Sequence, residues 1–177
     1  MPVRCVALLR GVNVGSRRVA MADLRALAEG LGFTGVRTVL NSGNLVFTVP
    51  RAGATHQARL AHALLQELGI DTPVTVLTAR ELGAILAENP FGGIATNPSR
   101  YIVSVPHRLA ERRRLVPLTR ERWTPEAFAL GKRAGYLWIP NGVIESRLAK
   151  AVERALGPLV TSRTWSTMQK LHALATG

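Results

Sequence analysis

The sequence holds a single cysteine in 177 residues. No internal disulfide can form, so the fold must rest on its apolar core, and a reducing, cytoplasmic setting is expected. Long apolar runs are also missing. The longest stretch without Asp, Glu, Lys or Arg, Thr38 to Pro50, is 13 residues, short of the ~18 that a membrane span needs. Only Cys5 to Leu9 lie between Arg4 and Arg10, too few for the core of a signal peptide. The four histidines are scattered: His56 and His62 stand roughly 240° apart around a helix and cannot share a metal. His107 and His172 are isolated, and one cysteine makes no zinc cluster. No metal site and no cofactor is expected, and no acid/base pair or nucleophilic motif stands out.

Acidic side chains are the scarcest charge, 11 Asp and Glu against 23 Lys and Arg, for a net +12. Arginine outnumbers lysine 20 to 3 in a chain rich in Ala, Leu, Gly and Val. GC-rich coding produces that pattern without selection for function, and much of the surplus is ascribed to it. A basic protein can still bind nucleic acid or anionic surfaces, and the surplus is uneven. Residues 1–88 carry nine basic and six acidic side chains; residues 89–177 carry fourteen and five. The segment His107 to Arg122 alone has six arginines and two glutamates. With 47% hydrophobic and 19% charged residues, the chain is expected to be globular, as one domain or two small halves.

Apolar spacing sets out the elements. Val3–Leu9 reads as a strand buried on both faces, and Met21, Leu24, Leu27, Ala28 and Leu31 recur at helical spacing before Gly32. Val36–Leu40 and Leu45–Val49 are β-rich runs around a hairpin signal, Asn41-Ser42-Gly43-Asn44. A second helix carries Leu60, Leu64 and Leu68 and closes at Gly69; Pro73–Leu77 is a fourth strand. The order β-α-β-β-α-β is the ferredoxin-like plan. Thr78 and Glu81 form a capping box for a further helix stopped by Asn89-Pro90.

The pattern then repeats. Tyr101–Val105 is a strand, and His107–Val116 a short arginine-rich helix ended by Pro117. Glu126–Leu130 and Tyr136–Ile139 form a hairpin, although Thr124-Pro125 could instead start a helix. Ile144, Leu148, Ala151, Val152, Ala155 and Leu156 trace an amphipathic helix, and Leu159–Thr161 a closing strand. The expected fold is α+β, two tandem ferredoxin-like (βαββαβ) halves with mainly antiparallel sheets. Residues 1–78 form the first half, 79–99 a connecting helix and loop, and 100–177 the second half with a C-terminal helix. Both faces of the first strand are apolar, so the second sheet face is expected to be covered, by the other half or by a second subunit. Neither that strand nor Leu45–Val49 offers a pair of outward aromatics, which argues against an RNA-recognition module.

Three polar segments are candidate sites. The loop Arg10–Arg18, with two glycines and three arginines, could converge N–H groups and guanidinium groups on an anion. It is not a P-loop, since three residues separate Gly11 and Gly15 and no Gly-Lys-Ser/Thr follows. The hairpin Asn41–Asn44 could hydrogen-bond a ligand, although Asn and Gly also serve a tight turn. The tail Thr161–Leu171 is dense in hydroxyls, with Arg163 and Lys170, and begins a helix whose Trp165, Met168 and Leu171 share a side. That stripe reads as core packing, and the hydroxyls as an anion site near a helix N-terminus. Cys5 sits mid-strand, where an inert buried thiol is expected.

Three segments together resemble a known family: Val6-Ala7-Leu8-Leu9-Arg10-Gly11-Val12-Asn13-Val14-Gly15, Thr38-Val39-Leu40-Asn41-Ser42-Gly43-Asn44-Leu45-Val46-Phe47, and Thr161-x-Arg163-x-Trp165-x-Thr167-x-x-Lys170-Leu171. Met21-x-x-Leu24-Arg25 and Asn89-Pro90-Phe91 agree with it. The family is the bacterial one catalogued as domain of unknown function 1697. The resemblance implies two ferredoxin-like halves and no established activity. The chain departs from it at Ser16, where a glycine is frequent, and at Thr164 and Ser166, where asparagines are. The leading expectation is a binder of a phosphate-bearing ligand or nucleic acid, as monomer or homodimer. Arg10, Arg17, Arg163 and Lys170 would neutralise charge; Asn13, Ser16, Ser42, Asn44, Trp165 and Thr167 would orient the ligand. The alternatives are a small-metabolite enzyme with a pocket between the halves, and a structural interaction module.

Overall fold

The computed structural model describes residues 1–13 and 18–177. The chain divides into two compact units, Met1–Leu82 with Leu171–Gly177, and Gly83–Lys170. Each is built on a four-stranded antiparallel sheet of α+β, βαββαβ-like arrangement.

In the first unit the elements are β1 (Val3–Leu9), α1 (Met21–Gly30), β2 (Thr34–Thr38), β3 (Asn44–Val49), α2 (Thr55–Leu68) and β4 (Val74–Thr78), with sheet order β2-β3-β1-β4. That order places β1 centrally, with Cys5 opposite Phe47 and Ala7 opposite Leu45. These four pack against Leu24, Leu27 and Ala28 of α1 and Leu60, Ala63 and Leu64 of α2. Phe33 stacks on Phe47 with ring centroids 4.5 Å apart, the offset geometry that adds to simple area burial. The opposite face, Val6, Leu8, Val46 and Leu77, is fully buried too, as the double-sided apolar pattern requires. Arg4 lies on that face and donates from Nη2 to the Leu174 carbonyl at 2.8 Å, fixing the last turn of the C-terminal helix to this unit. β2 starts two residues earlier than the apolar run suggests. Leu40 takes a left-handed backbone (φ +59) and is half exposed, because it belongs to the turn and not to the strand.

The helix α3 (Ala79–Glu88) opens on the expected capping box: the Thr78 N–H donates to Glu81 Oε2 at 2.7 Å, and the Glu81 N–H to Thr78 Oγ1 at 3.1 Å. The division between units falls within this helix, after Leu82.

The second unit comprises β5 (Tyr101–Pro106), a 3-10 helix (Leu109–Arg120), β6 (Ala127–Leu130), β7 (Gly135–Trp138), α4 (Arg147–Leu156) and β8 (Val160–Thr164), in sheet order β6-β7-β5-β8. α5 (Trp165–Thr176) follows directly. One sheet face carries Ile102, Phe128, Leu130 and Leu137 against Leu115 and Leu118 of the 3-10 helix and Leu148, Val152 and Leu156 of α4. Two helix boundaries differ from the sequence reading. The arginine-rich segment is not an α-helix ended by Pro117; it winds with a period of three straight through that proline. Arg112, Leu115 and Leu118 therefore share the inward side. Ile144 is not the first residue of the α4 stripe. The Ser146 hydroxyl accepts the Ala149 N–H at 2.8 Å and starts the helix there, leaving Ile144 outside and 81% exposed. Thr124-Pro125 forms a turn and starts no helix, and β6 pairs with β7 antiparallel, so the hairpin reading holds.

Among the described residues, no helix is long and apolar enough to cross a membrane. Cys5 is 1% exposed, and burial pushes its thiol up to about 11. The expected consequence is that the native protein resists an aromatic disulfide reagent at neutral pH and reacts at the rate of its own unfolding. Rapid stoichiometric labelling of the native state would contradict this.

Candidate functional site

The first candidate region lies where β1 ends. The Leu9 N–H donates to the Gly43 carbonyl at 2.9 Å, and the Arg10 N–H to that of Pro73 at 3.3 Å. The Thr72 hydroxyl donates to the Arg10 carbonyl. The chain then turns at Gly11 and Asn13, both with positive φ (+63 and +58). Asn13 is the latch of this corner. Its Nδ2 donates to the Asn41 carbonyl (3.0 Å) and Asn41 Oδ1 (3.1 Å), while its Oδ1 accepts the Val19 N–H at 2.9 Å. Its carbonyl accepts from Arg18 Nη1 at 3.0 Å. One asparagine thus holds both ends of a long βα loop and fastens them to the β2–β3 turn. Ser16 and Arg17, named from the sequence, lie outside the described residues.

Within the turn, Asn44 is fully buried and its Nδ2 donates to the Val39 carbonyl and to Ser42 Oγ, each at 2.9 Å. Its amide completes the turn from inside, the work a tight connection with few backbone bonds requires. Gly43 closes the same corner. Its φ is +75, and a Cβ there would stand 2.9 Å from the Leu9 Cβ and 3.2 Å from the Val12 Cβ. Arg10 and Asn13 are half-buried and Ser42 is exposed.

The second candidate region is the passage from β8 into α5. Arg163 sits on edge strand β8 opposite Val103. Its Nη1 donates to Thr161 Oγ1 and to the Ser162 carbonyl, both at 2.9 Å. Burial lowers its guanidinium from the ordinary arginine value to about 10, so it remains charged at neutral pH in a poorly hydrated position. The adjacent Thr164 caps the helix: its Oγ1 accepts the Thr167 N–H at 3.3 Å and lies 3.0 Å from Thr167 Oγ1. Trp165 is 8% exposed and stacks on Tyr101, centroids 4.5 Å apart and planes within 5°; Tyr136 lies 6.5 Å away, tilted. Lys170 is exposed. Thr164 caps the helix, one of the two caps, with Ser162, that the sequence offers; Thr161, not among the selected site residues, is the direct neighbour of this cation. The signal for Thr161 was the density of hydroxyl residues along Thr161–Thr167.

Other titratable groups are tied into the fold. Tyr136 donates its hydroxyl to the Ile85 carbonyl (2.6 Å) and Glu88 Oε2 (2.7 Å), and burial with that carboxylate raises its pKa. Burial lowers the pKa of His107, against the opposing field of Glu111. Among the described residues, no three His, Cys, Asp or Glu side chains group as a metal site would.

The repeated sheet order defines an α+β protein of two ferredoxin-like halves, with its polar corners at strand ends. The chain belongs to the family described as "Protein of unknown function (DUF1697)", whose model matches residues 3–136. That match takes in the first two of the three motif segments; Thr161–Leu171 lies beyond it. In structure the chain is similar to conserved bacterial protein SP0830 from Streptococcus pneumoniae, with a TM-score of 0.83 at 20% identity, covering 99% of each chain. At that identity the likeness shows the fold. No curated protein sequence matches the chain.

Proposed function

We propose that the chain binds a phosphate-bearing ligand, with Arg163 as the principal cation. Lys170, exposed on the same unit, supplies further positive charge, and the hydroxyls around Arg163 orient the ligand. The observation that carries this reading is the placement of Arg163: a charged, partly buried guanidinium fixed on an edge strand, with its Nη1 on Thr161 Oγ1 and the Ser162 carbonyl. A desolvated cation is stabilised by an anion brought against it more than a hydrated one is. The fixed geometry also lowers the ordering cost of a forked contact to phosphate oxygens.

Thermal unfolding with inorganic phosphate, a nucleoside monophosphate and a sugar phosphate tests the reading. The expected result is a concentration-dependent rise, equivalent to about 2.7 kcal/mol at a hundredfold excess over Kd. Arg163→Gln, which removes a poorly hydrated charge and keeps the fold, abolishes that rise. No stabilisation by any of the three ligands, or an undiminished rise in Arg163→Gln, would overturn it.

A further inference from the structure

Much of the second unit's positive charge lies on one layer. The 3-10 helix and α4 cover the same sheet face and run antiparallel, their ends tied by Arg147 Nη2 to the Arg122 carbonyl (3.1 Å) and by the His107 N–H to the Leu159 carbonyl (2.7 Å). With three residues per turn, the helix that buries Leu115 and Leu118 must turn its other two ridges outward. Arg114 and Arg120 lie on one of them, Arg113 on the other, and all three are exposed. α4 adds Lys150 and Arg154, likewise exposed. None of these five makes an ion pair or side-chain hydrogen bond with any described residue. The acidic groups in or beside the layer are Glu111, Glu121, Glu126, Glu145 and Glu153; Glu111 is turned back to accept the Arg108 N–H at 3.0 Å, and Glu126 accepts from the Ser146 hydroxyl and the Leu148 N–H at the start of α4. Coding bias raises arginine content without regard to face; it does not account for unpaired cations collected on one.

From this layer we infer that the second unit carries a docking surface for the sugar–phosphate backbone of duplex nucleic acid, separate from the Arg163 site. Twelve residues of 3-10 helix at ~2.0 Å rise extend ~24 Å, the length of about seven phosphates along one strand. The partner is duplex because a single strand is gripped by exposed aromatic rings on which bases stack. The aromatic residue at this layer, Trp123, is 7% exposed, donates its indole N–H to the Leu118 carbonyl at 2.9 Å, and lies beneath the Arg147 guanidinium. The surface reads charge and spacing, not base sequence.

The test is binding of the full chain to labelled 20-base-pair DNA and RNA duplexes, to the matching single strands, and to anionic phospholipid vesicles, from about 50 to about 200 mM salt. Duplexes of unrelated sequence are expected to bind alike, with affinity falling steeply as salt rises. Arg113→Glu/Arg114→Glu/Arg120→Glu should weaken duplex binding ~10-fold or more and flatten the log–log salt slope by about 2.7, at about −0.9 for each phosphate no longer neutralised. Arg51→Glu/Arg80→Glu, a charge reversal on the first unit, should change the affinity far less. Thermal unfolding of each variant checks that it is folded. Absence of duplex binding at the lowest salt, equal losses in both variants, preference for single strands, or capture by vesicles alone overturns the inference. Arg163→Gln leaves duplex binding intact, and the triple variant leaves the phosphate-induced thermal shift intact, so the two proposals fail separately.

Discussion

Replacing Trp165 with alanine is expected to cost the fold about 3–5 kcal/mol, the range for removing a buried aromatic side chain. The indole lies flat against Tyr101 and tilted to Tyr136. Its loss opens a void beside two of the largest fully buried side chains in the protein, and neither can swing to fill it. The Tyr136 hydroxyl is anchored to Ile85 and Glu88, and that of Tyr101 donates to Asn89 Oδ1 at 3.0 Å. Trp165→Phe keeps a stacked ring and should lose less than half as much. Urea denaturation measures both. A Trp165→Ala protein of unchanged stability that no longer binds phosphate would instead make the tryptophan a ligand contact.

Gly43→Ala is the second substitution expected to weigh heavily, about 2–4 kcal/mol, from the left-handed backbone together with overpacking. The atoms a new Cβ would strike are the Cβ atoms of Leu9 and Val12. These are fixed to the backbone and cannot rotate aside as the end of a flexible side chain would. The same residue gives its carbonyl to the Leu9 N–H, so any shift that relieves the clash stretches the bond joining β1 to the turn. Gly43→Asn separates the two causes: asparagine tolerates positive φ but brings the same Cβ. Equal losses for Asn and Ala assign the cost to the clash. A much smaller loss for Asn assigns it to the dihedral angle.

Both residues bear on what could be read before the structure. Motifs satisfied within a few residues were legible: the Thr78–Glu81 box by its spacing of three, β1 by its apolar run, the hairpin by Asn and Gly. Elements whose local signals conflict were not. Pro117 breaks an α-helix by rule, and the weaker signal that prevails is the spacing of Leu115 and Leu118, three apart and both buried. Ile144 fits the apolar period of α4, yet the Ser146 hydroxyl decides where that helix begins. At the candidate sites, residue type picked out polar corners but did not separate fastening from exposure. Asn13 and Asn44 are as polar as a ligand-binding pair would be, but Asn13 bonds across the corner and Asn44 within its turn. That distinction depends on which carbonyls face them after folding.

The membership of Leu171–Gly177 in the first unit has a consequence for biosynthesis. Chains ordinarily fold from the N-terminal domain onward as they leave the ribosome. Here the Leu174 carbonyl that Arg4 grips is translated after the whole of Gly83–Lys170. The second unit is complete in sequence first, and the first half made is the last to be finished.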